Sequence, residues 1–134
     1  MPQATAPTIM GRIKRDVKVG HRQCWTLFDS GARCSYIRRD VAGGFPVLPV
    51  EGKRKTALGD AVRDLKESCL IPADIDGHKM EFQTYIVDEI GRDEDGNEID
   101  LLFGALAMQG WGIRLDLENE QLDLKRYSDE FLEF

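Results

Sequence analysis

The sequence predicts an all-β domain, a barrel or sandwich of mainly antiparallel strands with one short helix near its end, and three observations carry that prediction. Short apolar stretches recur at turn-punctuated spacing along the chain, enough for about eight strands. Asp76-Gly77, a strong hairpin signal, joins an apolar run over residues 70–75 to residues 79–87, where Met80, Phe82 and Thr84 alternate with Glu81 and Gln83. Towards the end, Ile113, Leu115 and Leu117 share one face, Glu118-Asn119-Glu120 turns the chain, and Leu122 and Leu124 resume the alternation.

Taken in order, residues 1–8, with Pro2 and Pro7, read as a loose arm. The β-branched Ile9, Ile13, Val17 and Val19 mark a first strand, and Val19-Gly20-His21-Arg22 turns it back into a second over 23–28. Asp29-Ser30-Gly31-Ala32 interrupts the apolar run with a turn. Tyr36-Ile37-Arg38-Arg39-Asp40 suits a short strand or a single helical turn, and Gly43-Gly44 with Pro46 breaks the chain again. Short strands are expected over 46–50 and 54–58, then a polar stretch over 59–67 ahead of the Asp76-Gly77 hairpin. Residues 88–100 hold seven acidic residues around Gly91 and Gly96 and read as a solvated loop. Asp93-Glu94-Asp95-Gly96-Asn97 resembles the middle of a calcium-binding EF-hand loop, but with Gly96 at its glycine position, Gly91 and Leu102 fall where carboxylates are required. Ala105-Leu106-Ala107-Met108-Gln109, between two glycines, favours a short helix. There is also an internal echo. A hairpin leads to an apolar strand ending in glycine at Trp25-Thr26-Leu27-Phe28-Asp29-Ser30-Gly31-Ala32 and again at Leu101-Leu102-Phe103-Gly104-Ala105, as two similar halves would produce.

The 134 residues leave room for one domain, and at 42% hydrophobic they supply a core without disulfide or metal staples. With 18 Lys+Arg against 24 Asp+Glu the net charge is −6, which disfavours nucleic acid and anionic membrane as partners; Lys53-Arg54-Lys55 is too short a basic run to reverse this. The odd cysteine count (Cys24, Cys34, Cys69) and the lack of a basic then apolar leader lead to the expectation of reduced thiols and a cytoplasmic protein. The longest mostly apolar run, residues 101–108, is far below the ~20 residues that span a bilayer.

The chemistry is concentrated in Thr26-Leu27-Phe28-Asp29-Ser30-Gly31-Ala32, which delivers a carboxylate at the end of an apolar strand. A rigidly held, partly desolvated carboxylate suits general acid–base activation of water. Gly31 permits close backbone approach and Ser30 can hydrogen-bond a neighbouring loop. On its own the string also fits an ordinary turn aspartate.

Leu27-Phe28-Asp29-Ser30-Gly31-Ala32, with Ser35 and Ile37 after it, resembles the active-site segment of retropepsin-like aspartic proteases, and Leu102-Phe103-Gly104 with the following helix resembles that family's second motif. The segment from Thr56-Ala57-Leu58-Gly59-Asp60 onward stands where the family places its flap hairpin, so the resemblance spans residues 9–124 and leaves 125–134 as a C-terminal tail. It implies a small closed β-barrel, active as a homodimer, that hydrolyses peptide bonds with water activated by one Asp from each copy. It assigns catalysis to Asp29, support of the active-site loop to Ser30, Gly31 and Ala32, and substrate cover to Gly59, Asp60, Ala61 and Val62. In this reading Ser30 would lock the two active-site loops together across the dimer. No cofactor or metal is implied. Partners are a second copy and a peptide or protein substrate. A chain with one Asp-Ser-Gly has half of such a site, so the monomer should be inactive, and two copies of charge −6 should associate in a salt-dependent way.

The sequence departs from the family in carrying Arg33 and Ala105 where retroviral members often pair an acid with an arginine, and in lacking a glycine-rich flap tip. The tail, with Tyr127, Phe131 and Phe134, is a candidate to replace or cover the terminal strands with which other members dimerise. The alternative is a catalytically inactive peptide-binding or scaffolding dimer. A zinc site at His21 and Cys24 lacks a second closely spaced pair, and Trp25 and Trp111 read as packing residues.

Overall fold

The computed structural model describes residues 11–58 and 61–127. These form strands β1 (Arg12–Val19), β2 (Arg22–Asp29), β3 (Tyr36–Arg38), β4 (Val47–Pro49), β5 (Lys55–Leu58), β6 (Ala61–Asp64), β7 (Glu67–Ile75), β8 (His78–Val87) and β9 (Leu101–Phe103), helix α1 (Ala105–Trp111), and strands β10 (Arg114–Asp116) and β11 (Gln121–Asp123). Six strands close a barrel in the order β1-β2-β9-β3-β8-β7, with β7 returning to β1 through Lys18↔Asp74 and Val19↔Ala73. β4 pairs with the other end of β7, and β5–β6 and β10–β11 are separate two-stranded sheets. Closure leaves few free edges, which a small β protein must otherwise protect.

The hairpins form where turn chemistry placed them. Gly20-His21 joins β1 to β2, Asp76-Gly77 joins β7 to β8 with φ of 54° and 88°, and residues 117–120 join β10 to β11. Of the segment at 36–40, residues 36–38 form a strand and 39–40 turn the chain. The barrel is mainly antiparallel, but β2–β9 and β3–β8 run parallel. Parallel neighbours need long crossovers, and these are the excursions through 30–100 and 39–77.

Two stretches differ from expectation. The polar run 59–67 contains β6, paired with β5 as a hairpin where the family resemblance places one; the residue pattern does not show it because both strands are largely exposed, with Val62 at 71%. Residues 88–100 are more than a solvated loop. The Asp93 carboxylate accepts hydrogen bonds from the backbone N–H groups of Asp95 (3.0 Å) and Asn97 (2.8 Å), while Ile90, Ile99 and Asp100 are buried. Side-chain to backbone bonds of this kind order a loop that composition alone marks as solvated.

The core lies on both faces of the β2–β9–β3 layer. Phe28, Ile37, Leu101 and Phe103 enter the main cluster with Val17, Ile71, Ile75 and Phe82, while Leu27, Tyr36 and Leu102 point the other way into a second cluster with Leu58, Leu65, Val87, Ile90 and Ile99. Strands covered on both faces read as continuous apolar runs rather than alternating ones, which is why Trp25-Thr26-Leu27-Phe28 and Leu101-Leu102-Phe103 look as they do. Buried hydroxyls are satisfied locally: Thr26 donates to the Cys24 carbonyl (3.0 Å) and Thr84 to that of Cys69 (3.0 Å). Among the described residues no helix is long and apolar enough to cross a membrane.

Candidate active site

Asp29 is the last residue of β2, one step beyond Phe28, which is fully buried and stacks on Phe103 at 4.8 Å between ring centroids. The strand therefore fixes where the carboxyl emerges. Asp29 is 8% exposed; its Oδ1 accepts the Gly31 N–H at 2.9 Å, and its carbonyl accepts the Ala32 N–H at 3.1 Å. Ser30 ties the loop to the start of β1. Its N–H donates to the Gly11 carbonyl (3.0 Å), and its hydroxyl oxygen accepts the Gly11 N–H (2.9 Å). Asp29, Ser30, Gly31 and Ala32 thus form one hydrogen-bonded turn around the carboxylate.

The second sequence motif meets this turn in space. β2 and β9 pair in parallel with Phe28 opposite Phe103, so Gly104 follows Phe103 at the level where Asp29 follows Phe28. From there Ala105 N–H donates to the Ala32 carbonyl (2.7 Å), Leu106 N–H to that of Arg33 (3.1 Å), and Gly104 N–H to the buried Ser35 hydroxyl (2.9 Å). A side chain at 104 would collide with this clasp, since a Cβ built there lies 2.2 Å from the Cys34 carbonyl oxygen. Glycine is required because the two backbones touch.

The β5–β6 hairpin stands apart from the barrel and is rooted by a few contacts. The Tyr36 phenol and Thr56 hydroxyl lie 2.7 Å apart, Leu65 N–H donates to the Arg54 carbonyl (2.9 Å), and Leu58 and Leu65 are buried in the second cluster. Burial pushes the Tyr36 phenol above its ordinary value, with the Thr56 bond opposing this. Ala61 and Val62 sit exposed on β6, grouped with β5 rather than with the Asp29 turn; Gly59 and Asp60 lie outside the described residues, as do tail residues Phe131 and Phe134.

Sequence reasoning missed Arg12. Its Nε lies 3.3 Å from Asp29 Oδ2, directly across the β1–β2 ladder, while the guanidinium side chain stays 69% exposed. A signal was present, because the two-residue turn at Gly20-His21 sets the register that places 12 opposite 29. Also missed was a tie at the middle of β2. Trp25 donates its backbone N–H to Asp100 Oδ2 (2.9 Å) and its indole N–H to Asp93 Oδ2 (2.9 Å), and Asp100 is paired in turn with Arg38. Asp100 also hydrogen-bonds β3 through its carbonyl, which accepts the Arg38 N–H at 3.0 Å. These contacts brace the strand that carries Asp29 at its middle, where its pairing with β9 begins.

Burial pushes the Cys24 thiol up to about 11 and that of Cys69 upward as well, so both are protonated at neutral pH and unsuited to nucleophilic work. Among the described residues no three His, Cys, Asp or Glu side chains stand together as a metal site.

No protein-family model matches the chain, and no curated protein matches it by sequence. Solved structures do match in shape. The retroviral protease-like domain of Ddi1 from Leishmania major superposes with a TM-score of 0.60 and 16% identity, covering 85% of this chain and 88% of that one. The EIAV protease, in its complex with the inhibitor HBY-793, superposes with a TM-score of 0.51 and 16% identity, covering 84% of this chain and all of that one. The fold is therefore retropepsin-like, a closed six-stranded barrel with one short helix.

Proposed function

We propose that the chain is an aspartic endopeptidase whose active site is completed by a second copy of itself. The observation that carries this reading is Asp29, a largely buried carboxylate held at 2.9 Å by the Gly31 N–H, in a turn clasped to the Gly104 segment of a retropepsin-like barrel. One chain places a single carboxylate at that strand end, and a two-fold pairing of copies would bring two together. Two carboxyls within hydrogen-bond reach share one proton, the arrangement by which aspartic proteases work. The ionised member takes a proton from water, whose oxygen bonds to the peptide carbonyl carbon as the protonated member gives its proton to the carbonyl oxygen. Breaking of the C–N bond, with a proton passed to the nitrogen, then yields an acid and an amine. The peptide would lie as an added strand between the Asp29 turn and the β5–β6 hairpin.

A second reading, a dimer that binds peptides without cutting them, is favoured by one observation. The Arg12 Nε sits 3.3 Å from Asp29 Oδ2, occupying a carboxylate oxygen that a peptidase would keep for water. Because Arg12 is mostly exposed, the pair is worth at most about 1 kcal/mol, little enough for substrate or a partner copy to displace.

The test is Asp29→Asn. Cleavage of a peptide library should fall by about a thousandfold or more, the scale of losing an activated nucleophile, with the dimer intact by sedimentation. Undiminished cleavage in the variant defeats the peptidase reading, and absence of cleavage by the wild-type dimer across the acid and neutral range favours the binding one.

A further inference from the structure

A groove of about 710 Å3 opens beside the Asp29 turn rather than over it, and nothing in the proposed chemistry uses it. Arg33, Arg54, Phe82, Tyr85, Leu106 and Trp111 are among its walls. Two features single it out. In a chain of net charge −6, the lining contains two arginines and no carboxylate. Among the described residues neither Arg33 nor Arg54 has an acidic partner, so both guanidiniums are open to a ligand in the groove they share.

Both arginines are held at the backbone and open at the side chain. The Arg33 carbonyl accepts the Leu106 N–H and the Arg54 carbonyl accepts the Leu65 N–H, while both residues are exposed. One stands four residues beyond Asp29 and the other at the root of the β5–β6 hairpin, the two structures between which a peptide strand would run. Their forked donors match a carboxylate, and the aromatic and aliphatic walls suit the stem that carries it. The volume is that of a ligand site, room for more than one side chain.

We propose that this groove is a subsite for an aspartate or glutamate side chain in the flank of the peptide substrate, gripped between Arg33 and Arg54. The assignment rests on the peptidase reading, and its test has two arms so that the two can fail separately. In the first, a randomised octapeptide library is digested and the products are sequenced by mass spectrometry. Asp and Glu should be enriched about fivefold to tenfold at a fixed position away from the cut, the scale of a charge-assisted pair. The double variant Arg33→Glu, Arg54→Glu should replace that enrichment with one for Lys and Arg, which loss of structure would not do. A library that is cut without acidic enrichment overturns the subsite and leaves the peptidase reading standing.

In the second arm, a fluorescein-labelled octapeptide alternating Glu and Ala is titrated onto the Asp29→Asn protein. Binding should exceed that of the Gln–Ala counterpart by about fivefold to tenfold, weaken on Arg33→Ala, Arg54→Ala, and fade as salt is raised. Equal binding of the two peptides overturns the subsite whether or not the wild type cuts.

Discussion

β9 and the last turn of β2 lie side by side, parallel and in register, and both are buried on their two faces, yet they end differently: Phe28 is followed by Asp29 and Phe103 by Gly104. One strand end carries a carboxylate. The other carries no side chain at all, and the space this leaves is filled by the backbone of residues 32–34. The comparison teaches a division of labour, in which β2 presents the reactive group and β9 with α1 supplies the surface that fixes its turn. It also explains the internal echo, since two similar strand ends meet at the centre and only one is equipped for chemistry.

If the two strands are equivalent as structure and unequal as chemistry, truncating the matched phenylalanines should separate those roles. Phe28 and Phe103 are both fully buried and stack on each other. Phe28→Ala and Phe103→Ala should each lower unfolding stability by about 3–5 kcal/mol in urea titrations. The double variant should fall short of additivity by about 0.5–1.5 kcal/mol, the worth of the ring pair. Strict additivity would mean that the strands are buried side by side without depending on each other.

The glycine end tests the clasp itself. Gly104→Ala places a methyl 2.2 Å from a backbone oxygen that cannot swing aside, so it should cost about 2–3 kcal/mol. Because the displaced backbone at Cys34 follows directly on the Asp29 turn, cleavage should fall with stability. Gly110, in α1, is the control: a Cβ there meets nothing within 4 Å, and Gly110→Ala should leave stability level or raise it by up to about 1 kcal/mol. Equal thermal midpoints for the two variants would break the claim that close approach, rather than glycine content, matters at 104.

How much of this was legible beforehand follows from which interactions are local. Turn residues fix hairpins over a few positions, so Gly20-His21 and Asp76-Gly77 could be read directly, and with them the strands they join. Asp29 through Ala32 stood out because their residue types are unusual together at a strand end. The parallel pairing of β2 with β9 spans a long stretch of sequence, and nothing local encodes it; the echo of Leu27-Phe28 in Leu102-Phe103 was its only trace. Arg12 was legible in principle from the hairpin register, but an arginine on an exposed strand carries no mark of its partner. β6 left no mark in the residue pattern, because neither face of its hairpin is buried enough to impose alternation; only the family resemblance placed a hairpin there. The order in residues 88–100 arises from one aspartate folding the chain around itself, where composition showed only charge.

The smallest effect expected concerns the start of β9 and the middle of β2, where the loop before β9 is fastened to β2 through Asp93 and Trp25. Burial pushes the Asp93 carboxyl up, but hydrogen bonds from Asn97, Trp25 and Asp95 outweigh it and hold the group below its ordinary 3.8. A carboxyl with a depressed folded value contributes stability that is fully present above the unfolded value and is lost as pH falls through the folded one. Acid should therefore loosen this fastening only below pH 3.8, and Trp25 should report it. In a Trp111→Phe background, indole emission should shift in that window while the barrel remains folded by far-ultraviolet circular dichroism. Asp93→Asn should abolish the acid step, because the side chain at 93 no longer titrates. An unchanged step in the variant would assign the transition to another carboxylate, and would mean that the fastening at Trp25 rests on its backbone bond to Asp100 rather than on Asp93.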